Sequence, residues 1–374
     1  MLSPSTCLRK LNNLGVKFFT GVPDSLLKDF CECVTDRVAK SDHVIAVNEG
    51  GAVGIAIGKY IATEAIPLVY MQNSGLGNAV NPLMSLASKE IYSIPMLLMI
   101  GWRGEPRTKD EPQHIHQGRS TIPMLKAMDI PYIILSQEQA EATRQLQVSL
   151  KKARELSSPV ALLVKKGSFY PYIKKKLKSK SKKFLREEAI KIAVERLGNE
   201  IITVCTTGMA SRELFEYRSK KKLSLKRDFL TVGGMGHASQ IALGIAMARQ
   251  NERVACYDGD GAVLMHMGSL PLIGRSRCKN FIHIVFNNGV HDSVGGQPTI
   301  GRDIDLTQVA AACGYSLSLR AISPRTFNSA LDEALTTPGP NFIEVVIDPG
   351  NRPDIGRPTS KPEDNKFLLM DVLS

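Results

Sequence analysis

Short apolar runs separated by longer amphipathic stretches recur along the whole chain. In the first half they fall near residues 16–20, 44–47, 67–71, 95–100, 131–135 and 159–164. In the second half they fall near 200–204, 228–232, 253–257, 281–286, 315–319 and 341–347. Continuous apolar runs of this length predict strands buried on both faces, and the helical stretches between them are the crossovers that parallel strands require. The fold class predicted is α/β, with two doubly wound six-stranded parallel sheets and no middle domain. The expected division is residues 1–173, a basic linker at 174–186, and residues 187–374.

The 374 residues carry enough apolar content for two cores. Near the start, Leu8, Leu11 and Leu14 sit at helical spacing and Gly15 leads toward the first strand, which predicts a capped first helix with no cleavable segment before it. Seven cysteines show no metal-type spacing beyond the pair Cys31 and Cys33, so they read as reduced core residues of a cytoplasmic protein. No apolar run reaches membrane-spanning length. The net charge of +12 is concentrated: residues 165–186 hold ten Lys or Arg and no acid, and without them the balance falls to +2. A lesser cluster runs from Arg218 to Arg227. Such a lysine run reads as a solvated linker, with nucleic-acid binding through it as the reading from a different functional class.

Chemistry concentrates where strands end. Gly259-Asp260-Gly261 follows the run at 253–257, and Asn287-Asn288-Gly289 follows the run at 281–286. An acid and an amide on neighbouring strand ends make an all-oxygen site for Mg²⁺, with Asp260, the Asn287 side chain and the Gly289 carbonyl as ligands. Glu49 stands where the run at 44–47 turns into a helix rich in small residues. It reads either as a buried functional acid or as a first-turn Glu that favours the helix N-terminus. Asp24 and Ser25 follow the first run, where Asp24 could equally cap a helix. The segment 101–119, expected to be a loop, offers Arg103, Arg107, His114, His116 and Arg119 for contacts to an anion or for proton transfer. Its His-x-His spacing would suit a transition metal, but no third ligand is near in sequence.

These motifs carry a resemblance that covers nearly the whole chain. The matching stretches are 20–25 (TGVPDS), 48–51 (NEGG), 72–78 (QNSGLGN), 101–106 (GWRGEP), 110–119 (DEPQHIHQGR), 206–209 (TTGM), 235–239 (MGHAS), 291–298 (HDSVGGQP) and 356–359 (GRPT). With the paired metal-type loops, they resemble the thiamine diphosphate-dependent 2-oxoacid decarboxylases. The resemblance implies thiamine diphosphate and Mg²⁺ as cofactors, a pyrimidine-binding first half and a diphosphate-binding second half. Glu49 would activate the pyrimidine. Thr207, Gly208, Gly233, Met235, Gly259, Gly261 and Asn288 would contact the cofactor, although Met235 reads equally as a core residue. Asp24, His114 and His116 would join Glu49 in catalysis, and Ser25, Arg103, Arg107 and Arg119 would hold substrate. Sites are shared between two chains in this family, which implies a dimer or a dimer of dimers.

Some relatives place a catalytic Glu six residues after the metal-site Asn, where this chain has Ser293. That departure suits a substrate with its own anionic group, which a carboxylate would repel. The resemblance therefore implies decarboxylation of 3-phosphonopyruvate to phosphonoacetaldehyde in phosphonate biosynthesis, with sulfopyruvate as the alternative substrate. An acetolactate-forming carboligase would need a middle domain. A non-catalytic partner would not need Glu49, Asp260 and Asn287 intact.

Overall fold

The computed structural model describes residues 1–173 and 184–374, and all twelve expected runs contribute to parallel strands. The first six are β1 Phe19–Gly21, β2 His43–Ile45, β3 Leu68–Gln72, β4 Leu97–Gly101, β5 Tyr132–Ile134 and β6 Val160–Val164, hydrogen-bonded in the order β2-β1-β3-β4-β6-β5. The second sheet holds β7 Ile202–Cys205, β8 Asp228–Leu230, β9 Val254–Gly259, β10 Phe281–Asn287, β13 Leu317–Ala321 and β14 Asn341–Val346, in the order β13-β14-β10-β9-β7-β8. Between β10 and β13, β11 Val290–His291 and β12 Gln297–Pro298 form a small antiparallel hairpin that the apolar pattern did not announce. Counted within its own sheet, each set of six has the same winding, 2-1-3-4-6-5. The chain divides into two compact units, Met1–Leu177 and Lys178–Ser374.

Side chains alternate across each strand, so every central strand feeds two cores. Leu68 and Tyr70 of β3 join Phe30, Leu97 and Met99 on one face. Val69 and Met71 join Val53, Leu98 and Ile100 on the other. In the second sheet Tyr257 and Ile284 point to one core, while Val254, Cys256 and Val285 point to the opposite one. Each fully buried Leu or Ile stabilises by roughly 1.5–3 kcal/mol. All seven cysteines are unpaired, and five are buried. Among the described residues no helix is long and apolar enough to cross a membrane.

Four expectations change. The strand expected at 16–20 starts only at Phe19, because the Val16 amide bonds back to the Leu11 carbonyl and closes the end of the helix Pro4–Asn13. The supposed loop 101–119 is helical from Pro112, the first residue of the helix Pro112–Ala127. Proline is well tolerated there, since the first-turn amide has no intrahelical partner. The basic stretch is only partly free. Phe169 is buried in the first core, Lys165 pairs with Glu105, and Arg186 opens a helix with its guanidinium buried against Glu213. Residues 174–183, most of the expected linker, lie outside the described residues. Arg218, expected in a lesser basic cluster, is 1% exposed and paired with Asp228 at 2.7 Å.

Candidate functional site

In the first unit the helix Glu49–Thr63 begins because the Asn48 side chain accepts the Gly51 amide at 2.7 Å. That cap sets Glu49 in the first turn, where it is 5% exposed. Asn78 donates to Glu49 Oε2 at 2.7 Å. The other oxygen lies over Gly75, where a Cβ would stand 2.1 Å from it. Burial pushes the Glu49 carboxyl pKa up, against the Asn78 hydrogen bond. This is a carboxyl kept away from water and from cations, with Oε1 left open.

A second cluster forms where β1 and β4 end. Asp24 is fully buried, and its Oδ2 accepts the amides of Leu26 at 2.9 Å and Leu27 at 3.2 Å. A Cβ on Gly101 would come within 2.0 Å of that oxygen, so only glycine fits the end of β4 there. Burial pushes Asp24 up to about 6, despite these amides and nearby Arg103. Arg103 donates to Ser25 Oγ at 2.7 Å and makes a two-pronged pair with Asp110, with Nε to Oδ2 at 2.8 Å. Burial works against ionised Asp110, yet the guanidinium and the Gly104 amide hold it down to about 2. His114 faces this pair. Burial and then Arg103 push its pKa down to about 4, and its buried Nδ1 has no hydrogen-bond partner.

The structure thus gathers Asp24, Ser25, Arg103 and His114, and adds Asp110. It does not gather the rest. Arg107, His116 and Arg119 are exposed. His114 and His116 lie two residues apart on a helix and so project from opposing sides, which removes the chelating reading of His-x-His. Arg103 is already committed to Asp110, so it can offer an anion only the donors that pair leaves over. Asp24 accepts the Leu26 and Leu27 amides of the turn before the helix Lys28–Arg37, but that helix has Leu27 at its N-cap and no side-chain cap, so the helix-capping reading does not hold.

In the second unit the loops after β7, β9 and β10 converge. Asp260 opens the helix Asp260–Met265 and is 2% exposed. Burial pushes its carboxyl up to about 6, against a hydrogen bond from Thr299 and backbone amides. Asn287 donates to the Gly301 carbonyl and to Glu344, each at 2.7 Å, which fixes its amide and leaves Oδ1 as the acceptor of the Gly289 amide at 3.1 Å. The segment 299–301 binds all three expected metal residues: Thr299 Oγ1 donates to Asp260, the Thr299 amide donates to the Gly289 carbonyl, and the Gly301 carbonyl accepts Asn287. A Cβ on Gly301 would stand 2.5 Å from Asp260. No motif marked these residues, because their work is done through a hydroxyl and backbone groups.

The donor set fits a hard cation. Asp260 has hydrogen bonds but no ion pair among the described residues. A buried carboxylate in that state gains most from a cation, and its neighbours here offer oxygen. Around it, Gly208 has φ +97° at the start of the helix Met209–Lys220, and Ser293 Oγ is 3.8 Å from where its Cβ would be. Thr207 and Gly208 put the amides of that helix start beside the loops, an arrangement suited to phosphate. Met235 is half-buried, with its Cε 3.3 Å from a Cβ built on Gly261. Gly233 lies in the loop before it, while Gly259 and Gly261 flank Asp260. Asn288 donates to Asp292, which also takes Arg186. His291, absent from the sequence candidates, packs its ring against Gly261.

Residues 6–140 match the N-terminal TPP-binding domain of thiamine pyrophosphate enzymes, and residues 205–345 match the C-terminal TPP-binding domain of the same enzymes. A phosphonopyruvate decarboxylase of Streptomyces hygroscopicus is 33% identical over 97% of this chain and 92% of its own. That of Streptomyces viridochromogenes is 32% identical over the same shares. A sulfopyruvate decarboxylase of Methanosarcina acetivorans is 28% identical over 95% of this chain and 94% of its own.

Proposed function

Since the chain belongs to the thiamine diphosphate-dependent decarboxylase family, we propose that it converts 3-phosphonopyruvate to phosphonoacetaldehyde and CO₂ without oxidation, as a step of phosphonate biosynthesis. The observation that carries this reading is the end-to-end likeness to two phosphonopyruvate decarboxylases, at 33% and 32% identity. The sulfopyruvate enzyme matches a similar span at 28%. Sulfopyruvate is the second reading, since a sulfonate would meet the same donors.

Thiamine diphosphate, when bound, supplies a nucleophilic carbon and an electron sink for the loss of CO₂. Thr207, Gly208, Gly233, Met235, Gly259, Gly261 and Asn288 would hold it, with Mg²⁺ on Asp260, Asn287 and the Gly289 carbonyl. Glu49 supplies the proton-holding oxygen for the pyrimidine. Asn78 occupies Oε2, so the proton resides on Oε1, and burial favours its staying there. Asp24 holds a proton on Oδ1, because its Oδ2 already serves two amides. Arg103 and Ser25 orient the anionic end of the substrate, and neutral His114 is placed to pass a proton within that group. His116, Arg107 and Arg119 act only where they meet substrate from the surface of the helix or loop.

In this reading the enzyme works in the cytoplasm as a dimer or dimer of dimers, with Glu49 of one chain serving the Asp260 site of another. CO₂ release from phosphonopyruvate, sulfopyruvate and pyruvate, assayed side by side with Mg²⁺ and thiamine diphosphate, tests it. Phosphonopyruvate should give the highest kcat/KM. A preference for sulfopyruvate would hand the function to the second reading.

A further inference from the structure

Beneath the Asp260 loop lies a polar cluster that neither the mechanism nor the Mg²⁺ set uses. Cys256 and Asp258 stand two apart on β9 and so share a face of the sheet. His283 on β10 is the register partner of Cys256 and projects to the same side. All three are buried, and their Sγ, carboxylate and imidazole atoms lie within 4.8 Å of one another.

We propose that Cys256, Asp258 and His283 form a second metal site, for a zinc-class divalent cation, distinct from the oxygen-only Mg²⁺ set. The site stands independently of which 2-oxoacid the enzyme takes. His283 Nε2 and Asp258 Oδ2 are 3.5 Å apart, and neither makes a hydrogen bond. A buried charge-assisted hydrogen bond would close to about 2.7–2.9 Å. With metal–ligand bonds of about 2.0–2.1 Å, however, the edge of a tetrahedron is about 3.3–3.4 Å, close to the gap seen.

The outer contacts also suit ligation. Tyr315 hydroxyl sits 3.0 Å from His283 Nδ1, and in the tautomer whose Nδ1–H donates to that hydroxyl, Nε2 presents its lone pair to the cluster. The Gly259 amide donates to Asp258 Oδ1 at 2.9 Å, which leaves Oδ2 for the metal. Sulfur, nitrogen and oxygen together select a borderline-soft ion over Mg²⁺. Burial, and then the Asp258 carboxylate, push the Cys256 thiol pKa far up; a bound cation reverses that by favouring the thiolate. A thiolate and a carboxylate then neutralise the dication in a core closed by Phe281, Tyr315 and Phe342. Such a site fills as the chain folds, and exchange afterwards is slow.

Holoenzyme purified without chelator, then dialysed against EDTA and returned to Mg²⁺, should keep about one zinc per chain by mass spectrometry. Refolding with Co²⁺ should produce cobalt–thiolate charge-transfer absorption. Cys256→Ser should lose that absorption and at least tenfold in retained zinc, while Asp260→Ala should keep both. Wild-type protein that holds no zinc and shows no cobalt–thiolate band after refolding overturns the proposal, even if Cys256→Ser fails to fold. So does Cys256→Ser protein with the wild-type metal content and spectrum.

Discussion

Gly75 and Glu49 are pressed together so closely that a Cβ on the glycine would stand 2.1 Å from the Glu49 Oε1 oxygen. The same carboxylate is pinned at Oε2 by Asn78. The open oxygen therefore points where it does because residue 75 has no side chain. Gly75→Ala must swing the carboxyl away. Activity should fall about 10²–10⁴-fold, the usual weight of one acid–base group, while the circular dichroism spectrum stays that of the parent. Wild-type turnover in a folded Gly75→Ala protein would remove Oε1 of Glu49 from the reaction.

Asp24 makes a pH-dependent contribution of known sign. Its carboxyl is raised from an ordinary 3.8 to about 6 by burial. A group raised on folding stabilises fully below its unfolded value, and that stability is lost as pH rises through its folded one. The thermal midpoint of the cofactor-free protein should therefore carry a falling component between about pH 4 and about pH 6. Asp24→Asn, neutral throughout, should flatten it. An identical pH profile in the two proteins would show that Asp24 is ionised in the fold.

Arg103 tests recognition of the substrate anion. Its two-pronged pair with Asp110 and its bond to Ser25 require a planar fork that lysine lacks. Arg103→Lys should raise KM for phosphonopyruvate about tenfold or more, an interaction lost equally in ground and transition states, with less change for pyruvate. Equal loss on both substrates would make the pair a scaffold for the helix at Pro112 and no more.

Complementation tests the sharing of sites between chains. Glu49→Gln and Asp260→Ala proteins should each be inactive. After dissociation and joint reassembly, about half the dimers are mixed, and each mixed dimer has one site with both defects and one with neither. Activity should then approach about one quarter of the wild-type level by that two-fold counting. Folded, thoroughly exchanged dimers that stay inactive would mean that each chain supplies a complete site.

The sheets were readable in the sequence because parallel strands covered on both faces must be written as unbroken apolar runs. Leu97–Gly101 and Phe281–Asn287 are the clearest cases. Asp260 and Asn287 were readable as candidates because a carboxylate and an amide are oxygen groups of the kind a hard cation takes. Thr299 and Gly301 were not, since one works through a hydroxyl common to any loop and the other through a carbonyl and a missing Cβ. The helical start at Pro112 was hidden by the prolines and glycines of 101–119, which read locally as turn. Only packing of Gly118 against the Gly104 carbonyl, where a Cβ would stand 1.7 Å away, settles that segment. Arg186 and Arg218 looked like surface charge because composition cannot reveal that Glu213 and Asp228 wait for them in the core.

The repeated 2-1-3-4-6-5 winding has a consequence for how this chain can be altered. A parallel sheet opens its functional loops on one edge only, so identical winding gives both halves the same stations, after their first, third and fourth strands. In one half those stations carry Asp24, Gly75 and Arg103; in the other, Gly208, Asp260 and Asn287. The loops after those strands are thus where the two halves differ most, together with the interiors of β9 and β10, which carry Cys256, Asp258 and His283 where the first sheet is apolar. Volume-conserving apolar exchanges inside β3 or β4 should therefore be tolerated far better than replacing any one of these loops.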